Sequence, residues 1–350
     1  SRYGNTRQLY SVISPEGEPE QLTFFDEPVS YATFEPVNGN YFLFYKDIGG
    51  NEFSQIYRYD LQDRAVTLLT DGKKSQNGGI RWSNKSGLIA YSSTKRNGQD
   101  RDFYTMNPLD KNSDKLICEN TGGGWGIADW SEDDSKLLIR EGISVNESRI
   151  YLLDINTGIK TRLLPEIDER TRYTGFAFSK DGIGIYLITN IDSEFNRLAY
   201  FDLDKKELNF LTTEINWDVD DAELSDNGKE IAFETNENGL SKLYILSTET
   251  KKFIPVQGLP TGVMRGMQWS DDSKSIGFTF GVYNSSSIAY EFNTATNELI
   301  RWTKSETGGI DLSMLQEPEL ISWKSFDGLQ IPGYLYKATS KFTGKRPVII

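Results

Sequence analysis

The stretch Trp130-Ser-Glu-Asp-Asp-Ser-Lys136 reads as an aromatic closing one strand, a polar turn, and the first residue of a second strand, Lys136 to Arg140. Five further stretches share its plan: Phe34-Glu-Pro-Val-Asn-Gly39, Trp82-Ser-Asn-Lys-Ser-Gly87, Phe178-Ser-Lys-Asp-Gly182, Leu224-Ser-Asp-Asn-Gly-Lys229 and Trp269-Ser-Asp-Asp-Ser-Lys274. Their anchors stand 48, 48, 48, 46 and 45 residues apart. A column of tyrosines repeats out of phase with them: Tyr10, Tyr57, Tyr104, Tyr151, Tyr200, Tyr244 and Tyr290. Each follows a turn-rich segment and opens a strand, and another turn and strand come after it, as in Asp154 to Gly158 and then Lys160 to Leu164. Leu88 to Ser92 and Glu230 to Glu234 repeat the strand that follows the anchor turn.

Four short strands in each period of about 47 residues are the pattern of a propeller blade. A blade is apolar on both faces, so each needs a neighbour on either side. The chain therefore reads as an all-β protein, a β-propeller over residues 1–312. Its blades are a half blade at 1–25 and complete ones at 26–70, 71–119, 120–165, 166–213, 214–258 and 259–304. Seven tyrosine hairpins against six anchor hairpins imply a seven-bladed ring, with Leu9 to Ile13 and Glu20 to Phe24 as the outer half of a blade whose inner strands are expected upstream or, as the lesser alternative, from the C-terminal segment. Trp and Tyr at fixed places in each repeat are expected to pack blade against blade.

Composition narrows the chemistry. The 350 residues contain no histidine, so no Ser-His-Asp triad, Cys-His dyad or His-ligated metal site can be built from them. Cys118 is the only cysteine, which excludes an internal disulfide and a cysteine-based zinc cluster. Only 11 alanines accompany 44 aromatics, a balance that disfavours helices. A net charge of −13 repels phosphate backbones and anionic lipid heads, and no apolar run reaches the roughly 18 residues of a membrane span. Neither nucleic acid nor a membrane is expected as a partner, and no cofactor is expected.

Two motifs tempt other readings. The Asp- and Asn-rich turns hold clustered carboxylates, but tight turns need those residues and the spacing lacks a calcium loop. The aromatic also precedes the Ser-x-Asp, unlike a sialidase Asp box. Gly122-Gly-Gly-Trp-Gly126 lies between two strands with no helix to follow, which argues against a phosphate cradle. The informative column is the residue before each anchor: Thr33, Arg81, Asp129, Ala177, Glu223 and Gln268. On an innermost strand it points away from the anchor. Such charges either line the axial channel or pair across blades, with Arg81 and Asp129 as the expected pair. Arg172, Asp218, Asp220 and Arg265 are placed on loops entering inner strands, near the channel mouth. Asp220 and Asp221 are neighbours on a strand and should face opposite sides, which weakens a reading as paired acid and base.

Beyond Lys304 the rhythm stops. Glu317-Pro-Glu-Leu-Ile-Ser-Trp-Lys-Ser-Phe-Asp-Gly-Leu-Gln-Ile-Pro-Gly-Tyr-Leu-Tyr336 and Lys341-Phe-Thr-Gly-Lys-Arg-Pro-Val-Ile-Ile350 read as strands, the second expected to be central. These residues, with the Trp-Ser-x-Asp repeats, resemble the prolyl oligopeptidase family of serine peptidases, in particular its acylaminoacyl-peptidase and dipeptidyl-peptidase-like branches. Ala338 departs from the proline often found there. The resemblance implies that residues 313–350 begin an α/β-hydrolase domain whose catalytic groups lie downstream, with no catalytic residue within 1–350. It also implies a propeller that gates access of short peptides, with a peptide substrate and its own C-terminal hydrolase domain as partners. The dipeptidyl branch holds its substrate amine with a Glu pair in a propeller insertion, and no matching insertion is present. Two alternatives stand beside this: a non-enzymatic TolB-like binding propeller, and a propeller glycosidase or lyase working through carboxylates alone.

Overall fold

The computed structural model describes residues 6–166, 170–285, 287–304 and 309–339, with Gly344, Lys345, Pro347 and Ile349. Six antiparallel four-stranded sheets follow one another along the chain, each meandering from its innermost to its outermost strand. We number them as blades 1 to 6. Their innermost strands are Val29–Phe34, Asn77–Trp82, Trp125–Trp130, Tyr173–Phe178, Val219–Leu224 and Gly262–Trp269. The chain is thus an all-β propeller of six four-stranded blades, and among the described residues the one helical segment is a 3-10 turn at Leu312–Met314. None is long and apolar enough to cross a membrane.

The core lies between the blades. Separate apolar clusters join blades 1 and 2 (Leu43, Ile80, Tyr91), 2 and 3 (Phe103, Trp130, Leu137), 3 and 4 (Leu138, Tyr173, Leu187), 4 and 5 (Ile188, Val219, Phe233) and 5 and 6 (Leu243, Met264, Phe280). From Tyr57 on, the tyrosine column lies within the third strand of each blade and not at its opening, where the sequence pattern places it. In blades 1, 2, 5 and 6 its ring stacks on the aromatic directly across in the second strand, as in Phe44 with Tyr57 and Phe233 with Tyr244, at 5.4 and 5.0 Å.

The anchors tie neighbours together through their polar edges. The indole N–H of Trp130 donates to the Arg81 carbonyl and that of Trp269 to the Glu223 carbonyl, both at 3.0 Å, and Trp82 donates to Thr33 Oγ1 at 3.1 Å. In each case the acceptor is the residue that precedes the previous blade's anchor. In blades 3 to 6 the Ser after the anchor completes the turn: Ser131, Ser179, Ser225 and Ser270 bond the Asp or Asn two residues on and accept the N–H that opens the second strand. That role explains the Ser-x-Asp signature without a metal, and no cluster of carboxylates and cysteines suited to a metal ion occurs among the described residues.

A two-stranded sheet, Tyr10–Ser11 with Glu20–Gln21, touches both ends of the series. Glu16 N–H donates to the Trp302 carbonyl of blade 6, while Val29 N–H of blade 1 donates to the Arg7 carbonyl, each at 2.9 Å. Its strands are shorter than the expected Leu9 to Ile13 and Glu20 to Phe24, because Ile13 and Phe24 are exposed. A hairpin of Glu319–Lys324 and Gln330–Leu335 follows the propeller. A Cβ on Gly239, in the blade 5 hairpin, would lie 3.1 Å from the Tyr334 ring, so the two hairpins touch. Most of the strand expected over 341–350 lies outside the described residues.

Candidate functional site

Every innermost strand carries an irregularity that its sequence does not announce. Pairing with the second strand slips between Ser30 and Ala32, Gly78 and Arg81, Ile127 and Asp129, Gly175 and Ala177, Val219 and Asp221, and Arg265 and Gln268. A bulge adds an unpaired residue, bends the strand and re-aims the side chains beyond it. Six bulges at corresponding positions turn the residues before the anchors toward one space, a cavity of about 950 Å³ whose walls include Arg81, Asp129, Ala177, Glu223 and Gln268. Thr33, the sixth member of the column, holds the Trp82 indole.

Arg81 and Asp129 do not form the ion pair expected of them. Arg81 Nε donates to the Ala128 carbonyl at 2.7 Å, and Nη1 to its own neighbour's carbonyl, Ile80, at 2.9 Å. The Asp129 carboxylate accepts the Phe178 amide of the next blade at 2.8 Å. Each charge therefore reaches across a blade boundary through a main-chain group, because the bulge offers Arg81 the nearer carbonyl. Burial pushes the Asp129 carboxyl up to about 6 against the pull of that amide. Glu223 is pushed further, to about 8, by burial and then by Asp221 and Asp226, with Arg81 offsetting part of the shift. Its Oε2 is buried with no hydrogen-bond partner.

The other candidates divide. Arg172 and Asp218 stand just before the inner strands of blades 4 and 5, while Asp220 and Arg265 lie inside strands and not on the loops expected to hold them. The Asp218 carboxylate accepts the Asn196 amide at 2.7 Å. Asp220 is the unpaired bulge residue of blade 5, and Asp221, which pairs with Glu234, lines the cavity. Both carboxyls are held above the ordinary range, chiefly by desolvation. Sequence reasoning missed Arg140, Thr174 and Lys180, which also line the cavity. Lys180 pairs with Glu132 of the preceding turn at 2.8 Å. Arg140 sits on a second strand, outside the column that the repeat draws attention to.

A polar cavity walled by the inner strands of a propeller is a feature of a protein class. The family model of the prolyl oligopeptidase N-terminal β-propeller domain matches residues 31–305, and the chain belongs to that family. Among solved structures it is similar to prolyl oligopeptidase B from Galerina marginata bound to a 35-residue hydrolysis and macrocyclization substrate, at 15% identity and a TM-score of 0.70. That match covers 87% of this chain and 45% of the other. A structure from a study of two prolyl endopeptidases, concerned with inter-domain dynamics in catalysis and specificity, gives 13% identity and a TM-score of 0.62, covering 90% and 55%. TolB from Acinetobacter baumannii gives 16% and 0.55, covering 79% and 64%. No curated protein matches the sequence. The chain spans about half the length of the prolyl oligopeptidases it resembles.

Proposed function

We propose that this propeller gates peptide access to the serine-peptidase domain of a longer protein, with the catalytic groups outside residues 1–350. The observation that carries the reading is the polar cavity walled by the bulged inner strands of blades 2 to 6, in a chain of this family. At about 950 Å³ it has room for a short peptide and none for a folded domain. The sheet of Tyr10–Ser11 and Glu20–Gln21 is read as the outer half of a seventh blade, ending a propeller of residues 1–312. The hairpin Glu319–Leu335 is read as the first part of a hydrolase domain that begins at 313. Its exposed Trp323, Phe326 and Leu329 agree with a segment made to be covered. Arg81, Asp129 and Glu223 would face the passing peptide, with Arg172, Asp218, Asp220 and Arg265 nearer the mouth.

The test is a serine-directed fluorophosphonate probe applied to residues 1–350 and to the complete product of the gene. Labelling of the complete protein alone is the expected result. Labelling of neither favours a TolB-like binding module, and labelling of the 350-residue chain overturns both readings.

A further inference from the structure

Arg140, on the second strand of blade 3 (Lys136–Ser144), and Thr174, on the innermost strand of blade 4, both line the axial cavity. Arg172 precedes that inner strand by one residue, and burial, with the Arg172 charge second, holds the Arg140 guanidinium below its ordinary range. The Nε–H groups of Arg140 and Arg172 and the Thr174 hydroxyl are buried with no hydrogen-bond partner. The chain treats another partly buried guanidinium differently: Arg96 is surrounded by Asp100, Asp102 and Glu119. Two like charges that influence one another, with donors buried and unpaired, cost stability unless something binds them.

Space for that something is provided by glycine. Gly126 is the register partner of Arg140, lines the same cavity, and has no atom within 4 Å of where a Cβ would stand. The Gly122–Gly126 run thus serves to leave room opposite a guanidinium. Two residues earlier, a Cβ on Gly124 would lie 2.1 Å from the Gly142 carbonyl oxygen, so the strands can meet only without a side chain there.

We propose that Arg140, Arg172 and Thr174 form a subsite for the carboxylate of a peptide held in the propeller cavity. This rests on the peptide-gating reading and names what the gate prefers. The planar guanidinium fork matches a carboxylate in two hydrogen bonds, and the hydroxyl supplies a third donor.

The experiment is fluorescence anisotropy with three tetra-alanine probes labelled at the N-terminus: a free acid, its C-terminal amide, and an amide whose last residue is replaced by glutamate. The free acid should bind the unmodified protein about tenfold more tightly than the plain amide, the worth of one charge-assisted pair in a partly dry site. Arg140→Gln and Arg172→Gln should each bring the two together, and Thr174→Val should narrow the gap about threefold. Tight binding of the glutamyl amide would assign the carboxylate to a side chain, and weak binding would assign it to the C-terminus; both sustain the subsite. Equal binding of all three probes overturns the subsite and leaves the gating reading standing, whereas binding of none overturns both. The probe comparison on unmodified protein decides the matter even if an arginine variant fails to fold.

Discussion

Glu223 shows what a carboxyl in the cavity wall costs the fold. It holds a carboxyl in a partly dry wall with one oxygen unsatisfied, and its proton affinity is raised to about 8. Glu234, near Asp220 and Asp221, is raised to about 7, again chiefly by burial, and Asp129 to about 6. The unfolded chain releases these protons near pH 4, so between about pH 4 and 8 the folded state binds more of them. Their contribution to stability is therefore complete below pH 4 and is lost as pH rises through 6, 7 and 8 in turn. Thermal melts should show stability rising on acidification from pH 8 to about 5. Glu223→Gln should raise stability at pH 8 by on the order of 1 kcal/mol and flatten the upper part of that profile. An unchanged profile in the variant would mean that Glu223 is ionised and solvated.

At the scale of elements, the turn after each anchor does two jobs. Its left-handed position is Gly39, Gly87, Gly182 and Gly228 in four blades, and Asp134 and Ser273 in the other two. There the side chain reaches back to the preceding blade: Asp134 accepts the amides of Asn84, Lys85 and Ser86 at 2.7, 3.0 and 2.7 Å, and Ser273 accepts that of Asn227 at 3.0 Å. Asp134→Ala removes three bonds and keeps a backbone conformation that alanine resists, so denaturant melts should show a loss of about 2–3 kcal/mol. Asp134→Gly loses the same bonds without the strain and should lie about 1 kcal/mol closer to the parent. Equal losses would show that the backbone conformation is unimportant. Gly124→Ala forces main chain from main chain and should cost more than either, read by the same melts.

The same scale separates what could be read from what could not. Anchors, tyrosines and Ser-x-Asp turns announce themselves because each is a chemical requirement met at the same place in every blade. The bulges leave no such mark. Their unpaired residues include Tyr31, Gly79, Ala128, Phe176, Asp220 and Gly266, and a slip in pairing is a property of two strands and not of one. Simple alternation, which ignores them, joins Arg81 to Asp129, whereas the bulged strands give each a main-chain partner. Arg140 escaped for another reason: a second strand is core in most blades, and only the glycine opposite makes this position a cavity wall.

For the whole molecule, the arrangement of apolar clusters sets a gradient of protection. Blades 2 to 5 each share a cluster with both neighbours, whereas no such cluster joins blades 6 and 1 among the described residues. Blade 1 meets the short two-stranded sheet instead, through Leu9, Leu22 and Phe25. The consequence appears on its innermost strand, where Ser30, Tyr31, Ala32 and Phe34 are exposed, while Tyr173–Phe178 of blade 4 has no exposed residue. In a structure stabilised by nearest-neighbour interfaces, a blade lacking one interface opens at lower free energy. Amides of residues 29–34 should therefore exchange with deuterium at least about tenfold faster than those of 173–178, a difference of about 1.4 kcal/mol in opening free energy. Phe34, the anchor of blade 1, is 54% exposed, whereas Trp130 of blade 3 is 1% exposed, so replacing each with alanine should separate them further. Trp130→Ala should cost about 3–5 kcal/mol and Phe34→Ala well under half of that. Equal protection of the two strands, together with a large loss on Phe34→Ala, would show that the open face of blade 1 is covered in solution.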